Sequence, residues 1–325
     1  MKNPEPRKDL SWLRQIYSFG ASRVILTANN FRIFDHLTPP GKTVRMLAAA
    51  ISADGRATEL LLNSLVSIGL LVRKGEKYQN TPVAARYLVA GKADYQGDIL
   101  RHYATLWDNW SGLDTVLRTG KPYRKSHDHL SFILGMHNLA LLKVKEVIAS
   151  LDLKGVERVL DLGGGPGTYA MAFARKGKSV VLMDFPETLK IAGMIIRKAG
   201  LSGRIRLISG DFIRDDLGHG YDLILISQIF HAYDAAACIA MLKKCHRALN
   251  PGGRVAVQEF FLDETRTAPL SGALFAINML VNTPGGRTYT PKEMKGWLGK
   301  AGFTGVKSAL MGESVLITAS KKRPA

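Results

Sequence analysis

The chain has 325 residues, which is enough for two domains with a buried core in each. Its composition, 46% hydrophobic and 22% charged, is that of a globular protein, and we find no internal repeat or low-complexity segment. The formal net charge of +18 would suit an anionic partner, but the basic residues are scattered. We therefore expect a solvated basic surface without a specific nucleic acid or membrane partner.

Targeting and redox signals favour a cytoplasmic location. The N-terminal MKNPEPRKDL has basic residues but no apolar run behind them, so it is not typical of a signal peptide. No stretch approaches the roughly 20 apolar residues of a membrane span. The two cysteines, Cys238 and Cys245, form neither a disulfide framework nor a zinc pattern, so we expect a reducing compartment and no metal.

The first 150 residues are predicted to be mostly helical. Apolar periodicity indicates helices within residues 10–36, 44–51, 56–68 and 98–150. Gly69 ends the third of these segments, and a short β-hairpin is predicted between residues 70 and 80. A helix followed by a small hairpin is typical of a winged helix. We therefore assign residues 1–150 to a helical winged-helix domain.

From Arg158 the pattern changes to short apolar strands that alternate with helices. The predicted strands cover residues 159–162, 179–184, 204–209, 221–226, 253–259, 306–310 and 314–319. Such alternation is typical of a parallel sheet with helices on both faces. Only three residues separate the last two strands, too few for a parallel crossover, so these strands should form an antiparallel hairpin. We predict that residues 151–325 form a doubly wound, Rossmann-like α/β domain with seven strands, the last one reversed.

The sharpest motif lies between the first of these strands and the helix after it. It reads Asp161-Leu-Gly163-Gly-Gly165-Pro-Gly167, and glycines at such a turn let the backbone approach a ligand. A dinucleotide fingerprint would need glycine where this chain has Thr168, and no Walker A lysine follows. We therefore predict a ligand without phosphate, whose amino-acid part meets Asp161 and the amides of the loop.

Acidic residues also lie at the ends of the next two strands: one is the last residue of its strand, and the other follows its strand closely. Asp184 lies 21 residues after Gly163, where a carboxylate can accept hydrogen bonds from both hydroxyls of a ribose. Asp211 and Phe212 follow the third strand, so an adenine could stack on Phe212 while its amino group donates to Asp211. Each residue alone could be a turn or cap residue. Together, at successive strand ends of an open α/β sheet, they predict a nucleoside-containing cofactor.

These motifs resemble those of class I S-adenosylmethionine-dependent methyltransferases. More narrowly, the whole chain resembles the plant caffeic-acid and bacterial hydroxyindole-type O-methyltransferases. The segments that carry this narrower resemblance are Phe34–Leu37, Leu70–Leu71, Asn250–Gly253, Pro284–Arg287 and Ala301–Phe303. The resemblance implies S-adenosylmethionine as cofactor, a homodimer formed through the N-terminal domain, and methyl transfer to a hydroxyl of a small aromatic or polyketide-like molecule.

One candidate catalytic residue follows the fourth strand, and the other ends the fifth. His231 lies at the mouth of the predicted cleft, where an imidazole could take the proton of a phenol or enol, and Glu259 could fix its tautomer. The resemblance assigns the same roles to both residues. Plant members carry a second glutamate where this chain has Thr288, and a lysine that contacts the cofactor where it has Ser227. The first departure leaves methylation of a ring carbon open as an alternative.

Two questions remain open from the sequence. For the acceptor pocket, the resemblance implies Met136 and Met279, with Trp107 and Trp110 as aromatic candidates beside them, although such residues are as often part of a core. A DNA-binding regulator is a further alternative, because the chain is basic and has a winged helix. Its recognition helix, residues 56–68, has few side chains that read bases or phosphates, so we do not expect this function.

Overall fold

The computed structural model describes residues 16–323, and the chain forms two compact units that divide between Ala104 and Thr105. The predicted domain boundary at residue 150 rests on a change of sequence pattern, whereas this division rests on spatial contacts. The N-terminal decapeptide, and residues 10–15 of the first predicted helical segment, lie outside the described residues.

The first unit has the helices and hairpin that the sequence predicts. Its elements are α1 (Phe19–Asn30), α2 (Ile33–His36), β1 (Lys42–Thr43), α3 (Val44–Ala50), α4 (Gly55–Ser67), β2 (Leu71–Lys74), β3 (Lys77–Asn80) and α5 (Pro82–Tyr87). Helix α4 begins where the Asp54 side chain accepts a hydrogen bond from the amide of Ala57. Strands β2 and β3 form the antiparallel hairpin, and β1 pairs with β3. The buried Tyr78 donates its hydroxyl to Asn63 of α4, which fastens the hairpin to this helix.

Helix α6 (Gly97–Trp110) contains residues of both units, and the second unit continues the alternation of helices and strands. Its helices are α7 (Leu113–Thr119), α8 (His129–Ala149), α9 (Thr168–Arg175), α10 (Pro186–Lys198), α11 (Ala235–Ala248), α12 (Leu270–Asn282) and α13 (Pro291–Lys300). Its strands are β4 (Arg158–Leu162), β5 (Ser179–Asp184), β6 (Ile205–Ser209), β7 (Tyr221–Ser227), β8 (Leu249–Phe260), β9 (Thr304–Met311) and β10 (Ser314–Ser320).

The seven strands of the second unit form one sheet in the order β6-β5-β4-β7-β8-β10-β9. Strands β4 to β8 are mutually parallel, and β10 lies antiparallel between β8 and β9, which confirms the reversed last strand. The apolar side chains of β4 and β7 are buried, as expected for central strands covered on both faces. Strand order reverses between β4 and β7, and the crevice outside the carboxyl ends at such a point is where these sheets bind ligands.

Within the part of the chain that the structure describes, no helix combines the length and the apolar character that a bilayer span requires.

Candidate active site

The glycine loop after β4 is built so that only glycine fits at several positions. Gly163, Gly165 and Gly167 have φ angles of 64°, 53° and 77°, in the left-handed region. A Cβ on Gly163 would lie 2.6 Å from the Cδ1 of Ile229, so the loop directly contacts the turn that follows β7. A Cβ on Gly165 would meet no atom of the described residues within 4 Å. The loop is therefore closed toward the protein and open on its other side.

Asp161 is the acidic residue that precedes this loop, and its side chain is fully buried. Its Oδ2 accepts a hydrogen bond of 2.9 Å from the amide of Ala170, at the start of α9. Its Oδ1 is buried and has no hydrogen-bond partner within residues 16–323. Burial, with a smaller contribution from Asp184, raises the pKa of Asp161 to about 7. An unpaired buried carboxyl oxygen fits a cationic donor such as the amino group of an amino acid.

Asp184 connects the end of β5 to the same loop. Its Oδ2 accepts a hydrogen bond of 2.8 Å from the amide of Gly165, and its Oδ1 accepts one of 2.7 Å from the amide of Phe185. Burial raises the pKa of Asp184, and these hydrogen bonds act in the opposite direction. The structure thus brings Asp161, the glycine loop and Asp184 together, as expected from their places at adjacent strand ends.

Asp211 and Phe212 differ in their surroundings. Asp211 is about one-third exposed and accepts a hydrogen bond of 2.9 Å from the amide of Ile213. The ring of Phe212 is buried, with its centroid 5.5 Å from that of Phe185 and 6.2 Å from that of Tyr233. Contact of these residues with an adenine stays a prediction.

Ser227, at the end of β7, belongs to a buried polar chain. Its hydroxyl donates to Oε1 of Gln258 over 2.7 Å, and the hydroxyl of Tyr169 bonds to Ser227. Burial raises the pKa of Tyr169 to about 12, so this phenol stays protonated. Ser227 therefore links α9 to β8, and its direct contact with a cofactor stays a prediction.

His231 and Glu259, at the carboxyl ends of β7 and β8, form a pair of potential acid–base groups. Nδ1 of His231 lies 2.8 Å from Oε1 of Glu259, whose side chain is 1% exposed. Glu259 also accepts from the amide of Phe260, at 2.9 Å, and from the amide of His231, at 3.3 Å. A carboxylate in this place favours a proton on Nδ1, which leaves the Nε2 lone pair free to act as a base. The ring of Phe275 lies nearly perpendicular to the imidazole, with centroids 4.8 Å apart.

The turn that carries His231 is held by the segment after α12, a feature that the sequence did not predict. A Cβ on Gly286 would collide with the main-chain oxygen of His231, and the hydroxyl of Tyr289 donates to the main-chain oxygen of Tyr233 over 2.7 Å. Thr288 is buried and donates its hydroxyl to the main-chain oxygen of Gly272 over 3.0 Å. The Pro-Gly-Gly motif was the available signal for this close approach.

The four candidates for the acceptor pocket lie on three helices. Met279 is buried on α12, and Met136 is partly buried on α8. Trp107 and Trp110 are partly buried on α6. The Nε1 of Trp110 donates to the side chain of Asn278 over 2.9 Å, which brings this tryptophan to α12 next to Met279. Substrate contact by these residues stays a prediction.

Within residues 16–323, no group of three or more His, Cys, Asp or Glu side chains could hold a metal ion.

Family models match most of the chain. An O-methyltransferase dimerisation domain matches residues 13–90, and an O-methyltransferase domain matches residues 98–304. The chain is 32% identical over 290 residues to the 3-hydroxy-5-methyl-1-naphthoate 3-O-methyltransferase of Streptomyces sahachiroi, covering 85% of this chain and 84% of the relative. It is 32% identical over 315 residues to the acetylserotonin O-methyltransferase of Bos taurus, covering 89% and 90%.

Solved structures of methyltransferases have the same fold as this chain. Human N-acetylserotonin methyltransferase, in complex with S-adenosylmethionine, superposes with a TM-score of 0.88 at 27% identity, covering 99% of this chain and 100% of that one. An O-methyltransferase family protein from Burkholderia thailandensis superposes with a TM-score of 0.87 at 26% identity, covering 98% and 100%.

Proposed function

Because the chain belongs to the S-adenosylmethionine-dependent O-methyltransferase family, we propose that it methylates a hydroxyl of a small aromatic or polyketide-like molecule. One observation carries this proposal. The turn between β7 and His231 contacts the glycine loop at Gly163, and the same turn pairs His231 with Glu259. A base and a cofactor loop thus lie side by side at the carboxyl ends of the central strands, where a transferable group and an acceptor could meet.

We assign the cofactor site to residues at the ends of three strands, β4, β5 and β6. When bound, S-adenosylmethionine supplies an electrophilic methyl group on a sulfonium. Asp161 would hold the amino group with its unpaired buried oxygen, and Asp184 would accept from the ribose hydroxyls. Asp211 and Phe212 would hold the adenine. The amides of the loop between Gly163 and Gly165 would contact the amino-acid part of the cofactor. The fit of Asp161 supports this assignment, since a cationic amino group would satisfy its free oxygen and favour its charged form.

The chemical role of His231 follows from its partner. With Nδ1 bonded to Glu259, Nε2 can take the proton of the acceptor hydroxyl, and the buried carboxylate stabilises the imidazolium that forms. The surroundings are apolar, with Phe275 against the imidazole and Phe260 in contact with Phe275 at 4.2 Å between centroids. Such a site favours a transfer in which an oxyanion and a cation neutralise each other.

The dimerisation domain and the two cysteines support our proposals on assembly and location. The dimerisation domain at residues 13–90 supports a homodimer formed through the N-terminal unit, and we assign no nucleic acid or membrane partner. Cys238 and Cys245 are both free and buried, which suits a reducing, cytoplasmic compartment.

The test is methyl transfer from S-adenosylmethionine to hydroxynaphthoates, N-acetylserotonin and related phenols, followed by mass spectrometry. We expect at least one phenol to gain one methyl group. The His231→Ala variant should lose turnover and keep its affinity for S-adenosylhomocysteine. Full turnover by this variant would show that His231 is not the base. Failure of the wild type to bind S-adenosylhomocysteine would contradict the proposed cofactor site itself.

A further inference from the structure

Two histidines of helix α8 form hydrogen bonds with residues beside the proposed cofactor loops, and neither histidine belongs to a sequence motif. Nδ1 of His137 lies 2.7 Å from Oγ1 of Thr168, and Nε2 of His129 lies 3.3 Å from Oγ1 of Thr188. Thr168 is the first residue of α9, directly after the glycine loop, and Thr188 lies in the first turn of α10, directly after Asp184 and Phe185. Each threonine is 3% exposed. One helix is thus hydrogen-bonded to the element that follows each of the first two cofactor strands.

The contact at Thr188 connects His129 to Asp184, the carboxylate that we assign to the ribose hydroxyls. The hydroxyl of Thr188 hydrogen-bonds to Asp184, and His129 electrostatically favours the charged form of Asp184. A hydroxyl has one proton, so Thr188 donates to the carboxylate and accepts from Nε2–H of His129. With the amides of Gly165 and Phe185, Thr188 completes a set of donors that orients Asp184. His129 in turn orients the hydroxyl of Thr188.

The contact at Thr168 leads to the glycine loop. His137 is partly buried, and burial, together with a smaller effect of Arg175, lowers its pKa, which favours the neutral ring. Two residues beyond Thr168, the amide of Ala170 holds Asp161. The first turn of α9 therefore carries both the contact with His137 and the donor that places Asp161. A shift of this turn would move the glycine loop and the amide that Asp161 uses.

We propose that His129 and His137 are positioning residues of the cofactor site, which hold Asp184 and the glycine loop in the geometry that binds S-adenosylmethionine. They act through Thr188 and Thr168 and do not touch the reacting atoms. The proposal rests on the proposed function, because it takes Asp184 and the glycine loop as the cofactor site. It also gives α8, which carries the acceptor-pocket candidate Met136 next to His137, a physical connection to the cofactor loops.

The experiment is calorimetric titration of the full chain with S-adenosylhomocysteine, with a thermal melt of every variant. His129→Ala should weaken binding about three- to tenfold, the range expected for the loss of one hydrogen bond. Thr188→Val should weaken it at least as much, because this change also removes the hydrogen bond to Asp184. The double variant should bind about as well as Thr188→Val alone, since His129 acts through this hydroxyl. His137→Ala, Thr168→Val and their combination should behave in the same way. The KM for S-adenosylmethionine should rise more than kcat falls, because saturating cofactor restores the geometry.

Conservative variants and a matched control separate positioning from folding. His129→Gln keeps a donor at the place of Nε2, and His137→Asn keeps a nitrogen at the place of Nδ1, so both should recover most of the lost affinity. His246 is a partly buried histidine of α11 whose ring packs on Phe303, with centroids 5.0 Å apart. His246→Ala should lower the melting temperature and leave the affinity unchanged.

Two results would overturn the proposal. Folded His129→Ala and His137→Ala variants that bind S-adenosylhomocysteine as tightly as the wild type would show that neither histidine positions the site. Losses that add fully in both double variants would show that the threonines and histidines act independently. In both cases the wild type still binds, so the proposed cofactor site survives, whereas a wild type that does not bind overturns both proposals.

Discussion

Asp161 offers the sharpest quantitative prediction, because its carboxyl is buried with one oxygen unpaired within residues 16–323. Its pKa is raised from an ordinary value of 3.8 to about 7 in the cofactor-free fold. The folded state therefore binds more protons than the unfolded state between these two values. The stabilisation is fully present below pH 3.8, declines as the pH rises, and is lost above about pH 7. At 1.36 kcal/mol per pH unit, the loss amounts to about 4 kcal/mol.

The Asp161→Asn variant isolates this contribution, since an amide stays neutral at every pH. We expect the free energy of unfolding of the variant, relative to that of the wild type, to rise between pH 4 and pH 7 by up to about 4 kcal/mol and then to level off. Denaturant unfolding of both proteins, without cofactor, at a series of pH values measures this difference, in which other titrating groups cancel. A difference that stays constant across this pH range would refute the argument.

Cofactor binding should lower the pKa of Asp161, which burial raises. A cationic amino group beside Oδ1 favours the charged carboxylate, so S-adenosylhomocysteine should bind the wild type with release of a proton near pH 6. Calorimetry in two buffers of different ionisation enthalpy measures this release. The Asp161→Asn variant should bind S-adenosylhomocysteine more weakly and release no such proton. Equal release by both proteins would assign the proton to another group.

Three further predictions concern the turn that carries His231. His231→Ala should lower kcat by roughly 10²- to 10⁴-fold, the usual contribution of a general base, and full turnover would contradict it. Glu259→Gln should lower kcat by a smaller factor, because the amide still accepts at the Nδ1 side but cannot balance an imidazolium; an unchanged kcat would remove Glu259 from the mechanism. Gly286→Ala would place a methyl group against the main-chain oxygen of His231, so kcat should fall while affinity for S-adenosylhomocysteine holds. Steady-state kinetics and calorimetry check all three variants, and a Gly286→Ala enzyme with normal kcat would show that the turn can shift.

Much of the fold could be predicted from the sequence, because the signals are local. Apolar runs of strand length, and the three residues between the last two strands, were sufficient to predict the sheet and its reversed strand. The fifth strand of this unit was predicted too short. Asn250-Pro251-Gly252-Gly253 suggests a turn, whereas β8 already begins at Leu249 and its pairing with β7 shifts register at this point. Residues 250–253 have no partner in β7 and bulge out between Leu249 and Arg254, so the turn that the sequence suggests lies inside the strand.

The candidate site could be predicted where chemistry coincides with strand ends. His231 follows β7 and Glu259 lies at the end of the adjacent β8, so their proximity could be inferred from the order of the elements. The contact of Thr288 with Gly272 could not be inferred, nor could the two histidine contacts of α8, because each joins single residues far apart in the chain. Such contacts carry no periodicity and depend on how helices pack on the sheet.

Transfer of a labelled methyl group tests the central claim most directly. S-adenosylmethionine with a carbon-13 methyl group is incubated with the enzyme and a hydroxynaphthoate or N-acetylserotonin, and the product is analysed by carbon NMR. We expect the label on oxygen, as a methyl ether, with transfer strongly reduced in His231→Ala. A label on a ring carbon, or transfer at the wild-type rate by the variant, would contradict O-methylation with His231 as the base.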